Sequence, residues 1–202
     1  MDMLKKISKW IIIVAVLFLG AFAYFFVDYI DYKNQSAPIL MYHGIGYGSV
    51  EDWDDMLIGT KLFEKQIKYL SDRDYKIISV EELAERLRNN QSITKYVAIT
   101  FDDGYENNYT DAFPILKKYK ANGTIYLIRN AIGTSGYLND QQIREMLKYG
   151  MKIGSHTMSH TDLTTISSDL YQREITGSKM ILGQRFLDVV IESISYPNGM
   201  YN

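Results

Sequence analysis

Short apolar runs alternate along this chain with segments whose apolar residues recur at helical spacing. This alternation predicts strands and helices in turn. Strands are expected at Ile39–Tyr42, Lys76–Val80, Val97–Phe101, Thr124–Ile128, Ile153–Ser155 and Ile191–Tyr196. Between them, Thr60–Asp72 carries Phe63, Ile67 and Leu70 on one helical face, and Ser79 is placed to cap a helix over Val80–Asn89. Further helices are expected over Asp111–Tyr119, Asp140–Tyr149 (closed by Gly150) and Leu170–Phe186. Strands that alternate with helices imply an α/β fold with a parallel sheet, open or closed into a barrel. Such sheets gather their sites at the carboxyl ends of the strands. His43, Asp102, Asp103, His156 and Asn198 all fall at or just past an expected strand end.

The N-terminal stretch has a different pattern. No charged residue interrupts Trp10 to Val27, a length close to the ~20 apolar residues of a spanning helix. Lys5, Lys6 and Lys9 precede the run and Asp28 and Asp31 follow it, which places the N-terminus inside and the bulk outside. The chain therefore divides into a cytoplasmic 1–9, a transmembrane signal-anchor at 10–27, a polar linker at 28–37 and a folded domain over 38–202. Cleavage as a secretory signal is the alternative, since Ala21-Phe22-Ala23 has a small-x-small form. On either reading the domain is extracytoplasmic, at the cell membrane or secreted.

Composition narrows the function. At 202 residues and 47% hydrophobic, the chain can bury one sizeable core. A net charge of -2 with no basic stripe argues against a nucleic-acid partner. The absence of cysteine removes both disulfides and thiolate metal sites.

Two strings carry the chemistry. Thr100-Phe101-Asp102-Asp103-Gly104-Tyr105 ends a buried apolar run in adjacent carboxylates, and His156-Thr157-Met158-Ser159-His160 spaces two imidazoles four apart. Two His and one Asp can hold a metal while leaving positions open for water and substrate. The second Asp is then available as a general base. The chain has three His in all, and the third, His43, ends the run Ile39–Tyr42. It is either a structural residue or part of the site.

Together and in this order, the two strings resemble the first motifs of the polysaccharide deacetylase family, the NodB-homology proteins of carbohydrate esterase family 4. The resemblance spans roughly Pro38 to Asn202. Pro38-Ile39-Leu40-Met41-Tyr42-His43 and Ser195-Tyr196-Pro197-Asn198-Gly199 look most like the branch acting on poly-N-acetylglucosamine, with peptidoglycan deacetylases as relatives. The resemblance implies an irregular (β/α) barrel, usually of seven units. It also implies a metal-dependent hydrolase that removes N-acetyl groups from N-acetylglucosamine-containing cell-surface polysaccharide.

The resemblance further assigns roles. Asp103, His156 and His160 would hold a divalent ion, Zn2+ by the donor set, and Asp102 would be the general base. The backbone N–H of Asn198 would face the oxyanion. Tyr105 and Tyr196 could stack on a sugar ring, and His43 could orient substrate or take on part of the general acid's work.

Two departures stand out. Ser195 occupies the place where the family's third motif typically has an Arg that orients the base. The family's later motifs would lie beyond Asn202, so the resemblance leaves the barrel C-terminally incomplete, with Ile191–Tyr196 as a candidate open edge. A truncated, inactive or binding-only relative that keeps the metal is the alternative reading. A phosphoryl-transfer enzyme would need an anion-binding Gly-rich or basic cluster near the carboxylates, and none is evident in the sequence.

Overall fold

The computed structural model describes residues 14–27, 29, 36–46, 56–187 and 189–201. Residues 14–27 form helix α1, whose apolar side chains face outward, with Phe18 77% exposed. The start of the apolar run, residues 10–13, and most of the polar linker lie outside the described residues. No helix among the described residues is long and apolar enough to cross a membrane.

The remaining elements alternate as the pattern requires. Strand β1 (Ile39–Tyr42) is followed by the two short strands β2 (Gly44–Ile45) and β3 (Leu57–Ile58), which pair in parallel with each other. Then come α2 (Thr60–Ser71), β4 (Lys76–Ile78), α3 (Val80–Arg88), β5 (Tyr96–Phe101), α4 (Phe113–Lys118) and β6 (Thr124–Leu127). The order ends with α5 (Asp140–Tyr149), β7 (Lys152–Ser155), α6 (Ser168–Gln172) and α7 (Ser178–Arg185). Strands β1, β4, β5, β6 and β7 make one all-parallel sheet, in the order β1-β5-β6-β7 with β4 also paired to β5.

Strand β5 holds the centre because both of its faces are covered. Val97, Ile99 and Phe101 enter the main core, while Ala98 packs on the other side with Ile78, Leu83 and Ile93. This period-two division is what a continuous apolar run does inside a parallel sheet. Helix α2 buries Phe63 and Ile67 against this sheet, as its spacing predicts. The Phe63 ring meets Tyr42 and Phe101 edge-on at 5.1 and 5.9 Å. Local signals set the helix ends. The Ser79 hydroxyl accepts the Glu82 N–H at 3.1 Å, Asn139 and Gln142 form a capping box, and Gly150 closes α5 at φ 116°.

Three expected elements differ. The helix expected over Asp111–Tyr119 is regular only over Phe113–Lys118, preceded by a π turn at Asn108–Ala112. Pro114 has no N–H to donate to the carbonyl four residues back, so the regular α ladder cannot run through it. The single helix expected over Leu170–Phe186 is broken into α6 and α7 by a π turn at Arg173–Gly177, which buries Glu174. The strand expected over Ile191–Tyr196 is reduced to one bridge between Ser155 and Ile194. Two backbone bonds hold it, Ser155 N–H to the Ser193 carbonyl and Ser195 N–H to the Ser155 carbonyl, both 3.0 Å. The ladder stops there because the Ser195 carbonyl turns to a histidine ring instead.

Register fixes where the chemistry gathers. Tyr42 lies opposite Phe101 and Leu127 opposite Ser155, so the residues after β1, β5 and β7 share one rim. Those residues are His43, Asp102 and His156.

Candidate active site

At the end of β5 the chain makes a tight turn. The Asp102 N–H still pairs with the Tyr42 carbonyl at 2.9 Å, after which Asp103 and Gly104 adopt left-handed backbone at φ 72° and 77°. A Cβ on Gly104 would come within 2.7 Å of Leu127 Cδ2, so glycine is required for both space and conformation. For Asp103 the left-handed conformation is strained, and it aims the second carboxylate back over the rim.

His156 and His160 converge on that carboxylate. Asp103 Oδ1 lies 3.3 Å from His156 Nε2 and 3.4 Å from His160 Nε2. One ligand atom from each of the three residues falls within 4.8 Å of the others. Bonds of about 2.0–2.2 Å at tetrahedral angles would place neighbouring ligand atoms about 3.3–3.6 Å apart. Asp103 and the two His thus fit a single ion. His156 Nδ1 lies 2.9 Å from the Ser195 carbonyl oxygen, which can only accept, so Nδ1 carries the proton. Nε2 is left with its lone pair toward Asp103, the tautomer that a metal ligand needs. Asp102 Oδ1 and Asp103 Oδ1 are buried without a hydrogen-bond partner, and a cation would satisfy such a pair of atoms.

The charges are uneven. Burial pushes the Asp102 carboxyl above its ordinary value, opposed by the Ser195 hydroxyl and the His156 and His43 imidazoles. Asp103 is also penalised by burial, but the neighbouring His156 imidazole, with His160 behind, carries it below its ordinary value. Burial works against a proton on His156 too, yet Asp103, Asp102 and the Ser195 carbonyl raise its pKa. The His160 pKa is lowered by burial and by the charge of His156. Two buried carboxylates thus face two imidazoles.

The loop from His156 to His160 is not helical. The His156 N–H pairs with the Leu127 carbonyl, and the four N–H groups that follow all go to side-chain oxygens. Thr157 donates to Ser155 Oγ at 3.1 Å, and Met158 and Ser159 to Glu174 Oε2 at 3.0 and 2.9 Å. His160 donates to Thr157 Oγ1 at 3.1 Å. Thr157 and His160 are themselves left-handed, at φ 66° and 60°.

The other candidates take varied places. His43 sits half-buried on the rim, close enough for its charge to be felt by Asp102 and His160, while its carbonyl accepts Asn108 Nδ2 at 2.7 Å. Tyr105 rests its ring on Tyr137 with centroids 5.2 Å apart, and its hydroxyl interacts with Asp103. Its phenol pKa is raised, by burial first and then by the Asp103 charge. Tyr105 is thus bound into the rim. Tyr196 is 41% exposed and pairs loosely with Tyr201 at 6.0 Å. Asn198 is exposed and left-handed at φ 57°, tethered to the rim through Ser195. Sequence reasoning missed Glu174 altogether, and it read Ser195 only as an absent Arg. The Ser195 hydroxyl in fact donates to Asp102 Oδ2 at 2.7 Å.

Comparison with known proteins points to one family. The polysaccharide deacetylase family model matches residues 89–202. YxkH of Bacillus subtilis, whose name places it among polysaccharide deacetylases, is 37% identical over 84% of this chain and 59% of its own length. The poly-beta-1,6-N-acetyl-D-glucosamine N-deacetylase of Staphylococcus aureus is 26% identical over 86% of this chain and 68% of its own. The chain thus spans about three-fifths to two-thirds of these relatives. Among solved structures, the Streptococcus pyogenes deacetylase PplD in complex with acetate superposes with a TM-score of 0.75. It is 36% identical, over 82% of this chain and 75% of that one. With a family model covering more than half its length, the chain belongs to the polysaccharide deacetylase family.

Proposed function

We propose that this chain is a metal-dependent N-deacetylase acting on N-acetylglucosamine-containing cell-surface polysaccharide, with poly-β-1,6-N-acetylglucosamine as the leading substrate. The observation that carries the proposal is the convergence of His156 and His160 on Asp103, with Asp102 left over beside them. The staphylococcal relative supports the polymer, and the acetate bound to PplD matches the acyl product of such a reaction.

A divalent ion held by Asp103, His156 and His160, zinc by its nitrogen and oxygen donors, would polarise the acetyl carbonyl and make a water acidic. Asp102 would serve as the general base for a water at the site, and its raised pKa makes it a better base than an ordinary carboxylate. The Ser195 hydroxyl fixes which Asp102 oxygen faces the water, because Oδ2 is already engaged. Water oxygen bonds to the acetyl carbon, and the Asn198 backbone N–H is assigned to the oxyanion that develops. The carbon–nitrogen bond then breaks, acetate leaves, and the sugar nitrogen departs as an amine with a proton supplied from the rim. His43 is the imidazole placed to supply it. Tyr196 is exposed enough to stack on a sugar ring.

We further propose that the domain lies outside the cell, held by the apolar Trp10–Val27 run or released from it, on the strength of the lysines before that run and the aspartates after it.

The test is acetate release from a β-1,6-linked N-acetylglucosamine oligomer. Release should require zinc, stop on chelation and return on re-addition. A zinc-loaded chain that binds the oligomer but frees no acetate would make this a binding protein.

A further inference from the structure

Glu174 lies on the π turn between α6 and α7, eighteen residues beyond the first metal-ligand histidine, His156. It is a carboxylate with only 8% exposure, and among the described residues it has no ion-pair partner. A buried charge is costly unless it is hydrogen-bonded. Its oxygens instead accept three bonds, all from the loop between the two histidines: Met158 N–H at 3.0 Å, Ser159 N–H at 2.9 Å and Ser159 Oγ at 2.7 Å.

That geometry has a consequence for the ligands on either side. His156 is fixed by its own N–H and by the Ser195 carbonyl, so it is anchored without Glu174. Among the described residues the His160 ring has no comparable hydrogen bond, only the 3.4 Å approach of Nε2 to Asp103 Oδ1, and its backbone is held in a left-handed conformation by Thr157 Oγ1. Its ring is half-buried and depends on the loop for its position. Met158 and Ser159 are the two residues that carry the chain from one histidine to the other, and Glu174 holds both.

The break in the helix serves this contact. An uninterrupted α-helix from Ser168 to Arg185 would present residue 174 in another direction, and π turns place side chains at sites in this way. Behind the turn, Ser178 Oγ lies 2.7 Å from Ser155 Oγ, the oxygen that accepts the Thr157 N–H. The turn therefore touches the metal loop directly through Glu174, and the residue after it reaches that loop's start through Ser155.

We infer that Glu174 is a positioning residue for the metal centre: it clamps the Met158–Ser159 backbone so that His160 meets the same ion as His156 and Asp103. The inference rests on the metal reading above. Outer partners of this kind typically alter metal affinity by about 10–100-fold when removed.

Chelator competition for zinc and the visible spectrum of the cobalt-substituted protein test this without any deacetylation assay. Glu174→Ala should weaken zinc by about 10–100-fold and change the cobalt spectrum. Glu174→Gln, whose amide oxygen can still accept both backbone N–H groups, should recover most of the affinity. Should Glu174→Ala fail to fold, Ser159→Ala removes one arm of the clamp and should give a smaller loss in the same direction. Unchanged zinc affinity and cobalt spectrum in the folded Glu174→Ala protein, or in Ser159→Ala where Glu174→Ala does not fold, would return Glu174 to the scaffold. A wild-type chain that takes up no zinc would overturn the metal reading itself, and this inference with it.

Discussion

The hydroxyl of Ser195 donates a 2.7 Å hydrogen bond to Oδ2 of Asp102, while the carbonyl of the same residue receives the proton of His156 Nδ1. One residue, far away in sequence, thus orients both Asp102 and His156. The Ser195 hydroxyl pulls the Asp102 pKa down against the upward effect of burial. Ser195→Ala should therefore let that pKa rise. The acid limb of the pH–rate profile should move to higher pH, with zinc content unchanged because the carbonyl remains. A profile that scales down without moving would assign Ser195 to packing alone.

Metal uptake should itself depend on pH. Asp103, Asp102 and the Ser195 carbonyl raise the His156 pKa despite its burial, so a proton competes with the ion above the usual histidine range. Zinc affinity, followed by chelator competition, should already fall as pH drops through neutrality. An affinity flat from pH 8 to about pH 6, the unperturbed histidine range, would contradict this electrostatic picture.

Asp102 should cost stability in the metal-free protein. Its folded pKa is raised, so folding favours the protonated form. The associated stability is present at acid pH and is lost as pH rises through the folded value. Asp102→Asn should then raise the melting temperature of chelated protein at neutral pH, by an amount that shrinks toward acid. An unchanged or lowered melting temperature at pH 7 would show the carboxylate to be better compensated than its surroundings indicate.

Most of the scaffold is legible in the sequence because it is built from local rules. The Val97–Phe101 run, the Phe63/Ile67 spacing, the Ser79 cap and the Gly150 stop each act within a few residues, and the structure follows them. The Asp103, His156 and His160 cluster was legible for the same reason, since each motif is a short string at a strand end. What was missed depends on contacts across the chain. Ile191–Tyr196 has strand composition, but the Ser195 carbonyl is drawn away to a ring that no local pattern reveals. Glu174 sits in a stretch of helical composition, and only its burial against Met158 and Ser159 distinguishes it from a solvated Glu. Tyr105 read as a sugar platform by type, yet its ring lies on Tyr137.

His43 follows β1, whose last residue Tyr42 is in register with Phe101 at the end of β5, and its charge reaches Asp102. His43→Ala should lower turnover by about 10²-fold or more if the imidazole delivers the leaving proton. Zinc content and melting temperature should stay as in the wild type. Lost stability with activity per folded molecule preserved would make it a scaffold residue.

The central claim is the division of labour between adjacent carboxylates, in which Asp103 ligates and Asp102 reacts. Elemental analysis of zinc, paired with acetate release, in Asp102→Asn and Asp103→Asn tests it directly. Asp102→Asn should keep one equivalent of zinc and lose about 10²-fold or more in turnover, whereas Asp103→Asn should lose the metal. Zinc retained by Asp103→Asn and lost by Asp102→Asn would show that the two roles are assigned the wrong way round.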